Sequence, residues 1–192
     1  MSRIGLIVEG QTEENALPII IRRLAAERNV HVEATRPFRV KRNRITRVGE
    51  VDRSIQRLLQ SRGPLDGILL LLDADDDDWE NLEQSLTKMG RLATDVAFHA
   101  VAAVRTFEAW FLAAKPSLRG FRGIRDIAEV PEEGPEAVPN AATRLTKNME
   151  NRRYVKTDDA PAFADRMDLA MARENSPSFN RFCEAFYELM TD

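Results

Sequence analysis

Leu69-Leu70-Leu71-Leu72-Asp73-Ala74-Asp75-Asp76-Asp77-Asp78 decides the fold. An uninterrupted apolar run ends in five aspartates within six positions. The apolar half, from Gly67 to Leu72, reads as a strand covered on both faces, since a half-exposed strand would alternate polar and apolar residues. The acidic half stands at the strand's exit. So many carboxylates together require a cation, a basic partner or water.

Working outward, Ile4 to Val8 is a second short apolar run, ending at Glu9-Gly10. A helix is expected to follow, N-capped by Thr12 and continuing to about Glu27 or Arg28, with Glu13 and Glu14 in its first turn. Val30 to Val40 reads as a strand broken by Pro37, hence an edge strand or two pieces. Val51, Ile55, Leu58 and Leu59 have helical spacing, and Gly63-Pro64 ends that helix. Trp79 to Arg91 is the next helix, with Asp78 at its N-cap, and Val96 to Val104 is the fourth strand. Phe107 to Ala114, Ala141 to Met149, Pro161 to Arg173 and Ser178 to Met190 read as further helices. Glu129 to Pro139 is acidic and proline-rich, and is expected to be a mobile surface segment. Strands alternating with helices predict an α/β fold with a mainly parallel four-stranded sheet flanked by helices. Residues 1–115 would form that domain, and 116–192 a mostly helical C-terminal extension packed on it.

Composition sets limits. The chain has 192 residues, 43% hydrophobic and 31% charged, with a net charge of −3. The single cysteine, Cys183, excludes an intramolecular disulfide and a multi-cysteine zinc site. Ile4 to Val8 is too short for a signal-peptide core, and no apolar stretch approaches the ~20 residues of a membrane span. A cytoplasmic protein without membrane contact is expected. Charge is unevenly spread. Arg36 to Arg53 is basic, and Arg39, Lys41, Arg42 and Arg44 within it are candidates for contacts with nucleic-acid phosphates.

In parallel α/β sheets the carboxyl ends of the strands share one rim, where sites form. Glu9 follows the first strand, Asp73 and Asp75 the third, and Arg105 and Glu108 the fourth. Oxygen donors of this kind suit Mg²⁺ or Mn²⁺. Glu13, four residues after Glu9, can face the same side. Asp77 is a further candidate in an outer position. Glu108 either pairs with Arg105 or faces the site. His31 and His99 have no ligand partner nearby in sequence and are expected to be structural, as are Trp110 and Tyr154.

Val8-Glu9-Gly10-Gln11-Thr12-Glu13 followed by Leu72-Asp73-Ala74-Asp75 resembles the Toprim domain of topoisomerases, primases and defence nucleases. Phe107-Glu108-Ala109-Trp110-Phe111-Leu112-Ala113, Tyr154-Val155-Lys156-Thr157 and Ser176-Pro177-Ser178-Phe179 extend a resemblance to the Toprim-like family called domain of unknown function four-two-seven-six, over nearly the full chain. The resemblance implies a Toprim-like fold and metal-dependent phosphodiester chemistry. It assigns Glu9 to acid–base work or metal binding, and Asp73 and Asp75 to Mg²⁺. In nucleases of the overcoming-lysogenisation-defect type, Glu13 matches a second glutamate, and Lys156 is the candidate for a catalytic lysine. Those nucleases carry an ATPase domain, so the implied partner here is a separate ATPase in a bacterial defence module.

Two other functions compete with the nuclease. One is a non-catalytic subunit that binds metal, nucleic acid or an ATPase. The other is an aspartyl phosphatase, since Leu72-Asp73-Ala74-Asp75 looks like the haloacid-dehalogenase signature. That signature normally follows the first core strand and ends in threonine or valine, unlike here.

Overall fold

The computed structural model describes residues 1–190. Five strands, β1 (Ser2–Val8), β2 (Val32–Ala34), β3 (Phe38–Arg39), β4 (Gly67–Asp73) and β5 (Ala97–Ala103), form one sheet in which each pairing is parallel. Its order is β2-β1-β4-β5, and β3 continues the β2 edge alongside the end of β1. The expected fold class is therefore observed. The fifth strand arises because Pro37, which has no N–H to donate, divides the edge into two pieces.

Among the described residues, nine α-helices connect and flank the strands: α1 (Gln11–Glu27), α2 (Arg42–Ile45), α3 (Glu50–Arg62), α4 (Trp79–Ala93), α5 (Ala109–Ala113), α6 (Ala141–Lys147), α7 (Lys156–Arg166), α8 (Leu169–Asn175) and α9 (Pro177–Glu188). The strands bury both faces. Leu6, Val8, Leu69, Leu71, Val101 and Ala103 point into a core shared with α1, α5 and the C-terminal helices. Ile7, Ile68, Leu70, Leu72, Phe98 and Ala100 point to the other side, against α3 and α4. This two-sided cover is why β4 reads as four consecutive leucines. The C-terminal helices contribute Phe163, Phe179, Phe182 and Phe186 to the same core as Ile4 and Leu17. No helix among the described residues is long and apolar enough to cross a membrane.

Three local expectations are corrected. The first helix begins one residue before Thr12, with Gly10 at its N-cap and no side-chain cap. The stretch from Pro161 to Arg173 is two helices rather than one, since Asp168 starts α8 by accepting the Met171 N–H at 3.0 Å. The acidic segment before α6 is a packed loop. Ala128 and Val138 are buried, and Glu136 Oε1 accepts from Ser176 Oγ at 2.6 Å and from the Ser178 N–H at 2.8 Å.

The chain leaves β1 toward one edge, to β2 and β3, and returns to add β4 and β5 on its other side. The topological switch therefore lies between β1 and β4, where a crevice opens at the carboxyl ends of open α/β sheets. Glu9 and Asp73 leave those two strands.

Candidate functional site

Four carboxylates meet at this rim. Glu9 follows β1, Glu13 lies in the first turn of α1, Asp73 ends β4, and Glu108 stands just before α5 in the loop after β5. Glu13 and Glu108 are 4% and 2% exposed, so their charge is not relieved by water. Gly10 makes room for Glu13, because a Cβ there would lie 2.6 Å from Glu13 Oε2. Asp73 Oδ1 accepts the Phe107 N–H at 2.7 Å, which ties the end of β4 to the loop after β5.

The four groups act on one another electrically. Burial, then the Glu13 and Glu108 charges, raises the Asp73 carboxyl well above its ordinary range despite the Phe107 amide. Burial raises Glu13 to about 7; its own backbone amide opposes the shift, while Glu108 and Glu9 add to it. Burial also raises Glu9, and the Arg42 charge opposes this. Glu9 Oε2 and Glu13 Oε2 are buried without a hydrogen-bond partner. An unpaired buried carboxylate oxygen is costly, so the group either binds a proton or takes a cation.

Lys156 is the basic member. Its Nζ lies 3.0 Å from Glu108 Oε1, and its side chain is otherwise 59% exposed. Burial depresses its pKa, but the Glu108 pair and the charges of Asp73 and Glu13 outweigh that, and the ammonium is held protonated. Its place is fixed by Asp159, which is fully buried. Asp159 accepts from Arg122 Nε at 2.7 Å, from Arg152 Nη2 at 2.8 Å and from the Val155 N–H at 2.8 Å, immediately before Lys156. Tyr154 packs on Phe163, and its hydroxyl is buried without a partner in the field of Glu108.

The remaining aspartates have different surroundings. The Arg42 guanidinium bonds the carbonyls of Asp73 and Ala74 and pairs with Asp75 and Asp77. Arg105 pairs with Asp76 at 2.9 Å rather than with Glu108. Asp78 caps α4, as expected, accepting the Glu80 and Asn81 N–H groups. Asp75 and Arg105 both have left-handed backbone, at φ of 50° and 60°, and the Asp75 N–H bonds the Arg105 carbonyl at 2.9 Å. Two non-glycine residues in this conformation, held against each other, mark a strained rim.

Glu9, Glu13, Asp73, Glu108 and Lys156 are thus brought together. Asp75 and Asp77 face Arg42 at the exposed margin, and Arg105 serves that same acidic loop. Of the basic candidates, Arg42 is engaged within the protein, whereas Arg39, Lys41 and Arg44 line a neighbouring cleft. The place of Glu108 beside Asp73 and Glu13 is not encoded by local spacing. The available signal was an acid among apolar residues in Phe107-Glu108-Ala109-Trp110. Among the described residues, no three Asp, Glu, His or Cys side chains form a ready cation shell.

Residues 8–186 match the family described as Domain of unknown function (DUF4276), and the chain belongs to that family. No curated protein and no solved structure matches it significantly.

Proposed function

We propose that this member of the DUF4276 family is a divalent-metal-dependent nuclease of Toprim type that hydrolyses phosphodiester bonds, working in a defence system with a separate ATPase. The observation that carries this reading is the convergence of four carboxylates from three parallel strand ends, with buried oxygens of Glu9 and Glu13 unpaired. The donors are all oxygen, and two are orphaned. They fit Mg²⁺ or Mn²⁺.

Glu13 and Asp73 would hold such an ion beside Glu9, and Asp75 would join if Arg42 released it. When bound, the ion would neutralise the carboxylates and stabilise the charge that builds on the phosphoryl oxygens. Hydrolysis forms a bond from a water oxygen to phosphorus and breaks the bond from phosphorus to the ester oxygen. Glu9, half-buried and with its Oε2 unpaired, takes the water's proton. Lys156, held protonated by its acidic neighbours, gives a proton to the leaving oxygen.

The test is cleavage of supercoiled DNA, single-stranded DNA and RNA with Mg²⁺ or Mn²⁺. Asp73→Asn is expected to abolish cleavage, and Glu9→Gln to slow it by about 10²–10⁴-fold at an unchanged metal requirement. Equal cleavage by the wild type and Asp73→Asn would sink the proposed site.

A second reading, a non-catalytic subunit of the same fold, draws support from Arg42. Its guanidinium already neutralises Asp75 and Asp77, the function a metal would serve. A wild type that stays inert on every substrate, with and without a candidate ATPase, would favour that reading.

A further inference from the structure

Beside the acid cluster, on the other side of α2, lies a cleft of about 390 Å³. Its walls carry Arg39, Lys41, Arg44, Arg47 and Arg57, and Phe38 lines it as well. The short helix α2 separates the two features. Arg42 reaches from it to the aspartate loop, whereas Lys41, Asn43 and Arg44 line the cleft. The cleft is also joined to the acid site through the sheet, because β3 pairs with the last residues of β1 and the Val40 N–H bonds the Val8 carbonyl at 2.8 Å, one residue before Glu9.

The five cations are not equivalent. Arg39 lies 3.5 Å from Glu14, and Arg44 Nε lies 2.6 Å from Glu50. Lys41, Arg47 and Arg57 are exposed and have no acidic partner among the described residues. Three unpaired cations in one concavity attract anionic groups repeated along a chain, which describes a nucleic-acid backbone. The cleft's size and its half-buried Phe38 select among nucleic acids. A hollow of this volume admits about one nucleotide unit rather than a duplex, and an aromatic ring between cations is the arrangement single strands use for stacking.

We propose that this cleft binds the sugar–phosphate backbone of a single-stranded nucleic acid through Lys41, Arg47 and Arg57, and leads that strand across α2 to the acid cluster. The route to the acid cluster rests on the nuclease reading; the binding itself does not.

The experiment measures fluorescence anisotropy of a short labelled single strand, DNA and RNA separately, in chelator so that no cleavage occurs. Arg47→Ala/Arg57→Ala is expected to bind at least about tenfold more weakly, with a log–log salt dependence shallower by about 1.4, as expected for two lost phosphate contacts. Unchanged affinity in the double variant would overturn the proposal, as would duplex or pyrophosphate competing as well as the single strand. With metal present, the same variant should raise KM and leave kcat unchanged. A fall in kcat alone would overturn the route to the acid cluster. An inert wild type whose strand binding still depends on Arg47 and Arg57 would sink the nuclease reading and leave the cleft standing.

Discussion

Glu13 shows how a single side chain at the rim couples stability to its surroundings. Its carboxyl has an ordinary value of 4.5 and is raised to about 7 in the fold, chiefly by burial. Between those values the folded chain holds a proton that the unfolded chain has released, so stability falls as pH rises from about 4.5 to 7. In chelator Glu13's share of the loss is expected to be about 3 kcal/mol at most, read as the difference between the urea midpoints of the wild type and Glu13→Gln across that range. Glu13→Gln should flatten the profile, and Mg²⁺ at pH 7 should restore the wild type. A profile that rises with pH equally in both proteins would show that Glu13 is not the strained group. The positions of Glu9, Glu13 and Asp73 were legible from sequence, because each is fixed by the end of an apolar strand or the first turn of the helix after it. The contact of Glu108 with Lys156 was not. Glu108 lies in the loop before α5 and Lys156 opens α7, so packing alone brings them together and no local spacing encodes that distance.

At the element scale, close fit decides. Gly90 of α4 sits on the ring of Phe98 in β5, and a Cβ there would approach the ring to 2.2 Å. Alanine is the better helix former by up to ~1 kcal/mol, but overpacking against an aromatic ring costs about 1–3 kcal/mol. Gly90→Ala is therefore expected to lower stability by about 1–2 kcal/mol in chemical denaturation; a stabilised variant would mean that α4 and β5 pack more loosely than described. The start of α7 depends on charge instead. Asp159→Ala would leave Arg122, Arg152 and the Val155 N–H without their common acceptor. The expected cost is about 3 kcal/mol, because breaking a buried ion pair strands its partners. A midpoint within experimental error of the wild type would show that this network is dispensable. The outer edge of β5 has also been closed by side chains. Thr87 Oγ1 and Glu83 accept the N–H groups of Ala100 and Ala102, and Arg181 donates to the Ala102 carbonyl. These contacts remove the pairing groups that an exposed edge strand would offer to another chain.

On the scale of the whole molecule, the sheet domain and the C-terminal helices depend on one another. Phe107, Trp110 and Phe111 are fully buried, and Trp110 packs edge-on against Phe179 and tilted against Phe182 while its Nε1–H donates to Ser178 Oγ at 2.9 Å. A fragment ending at residue 115 would expose this aromatic cluster. It is expected to be unfolded or aggregated by circular dichroism and gel filtration, whereas a soluble fragment with a cooperative melt would show that residues 1–115 hold their own core. The helices also supply Lys156, so such a fragment would lack the basic member of the site. What the sequence by itself determined was the alternation of elements, the two-sided burial of β4 and the exit of Glu9 and Asp73 from strand ends, because strand burial and strand exits are written in hydrophobic period and its interruption. Only the tertiary structure decided that β1 and β4 are neighbours at the switch, that Arg42 turns to the aspartate loop while Lys41 and Arg44 face the cleft, and that Glu108 meets Lys156. Those outcomes follow from how the helices pack across the sheet, and packing brings together residues between which the sequence carries no periodic signal.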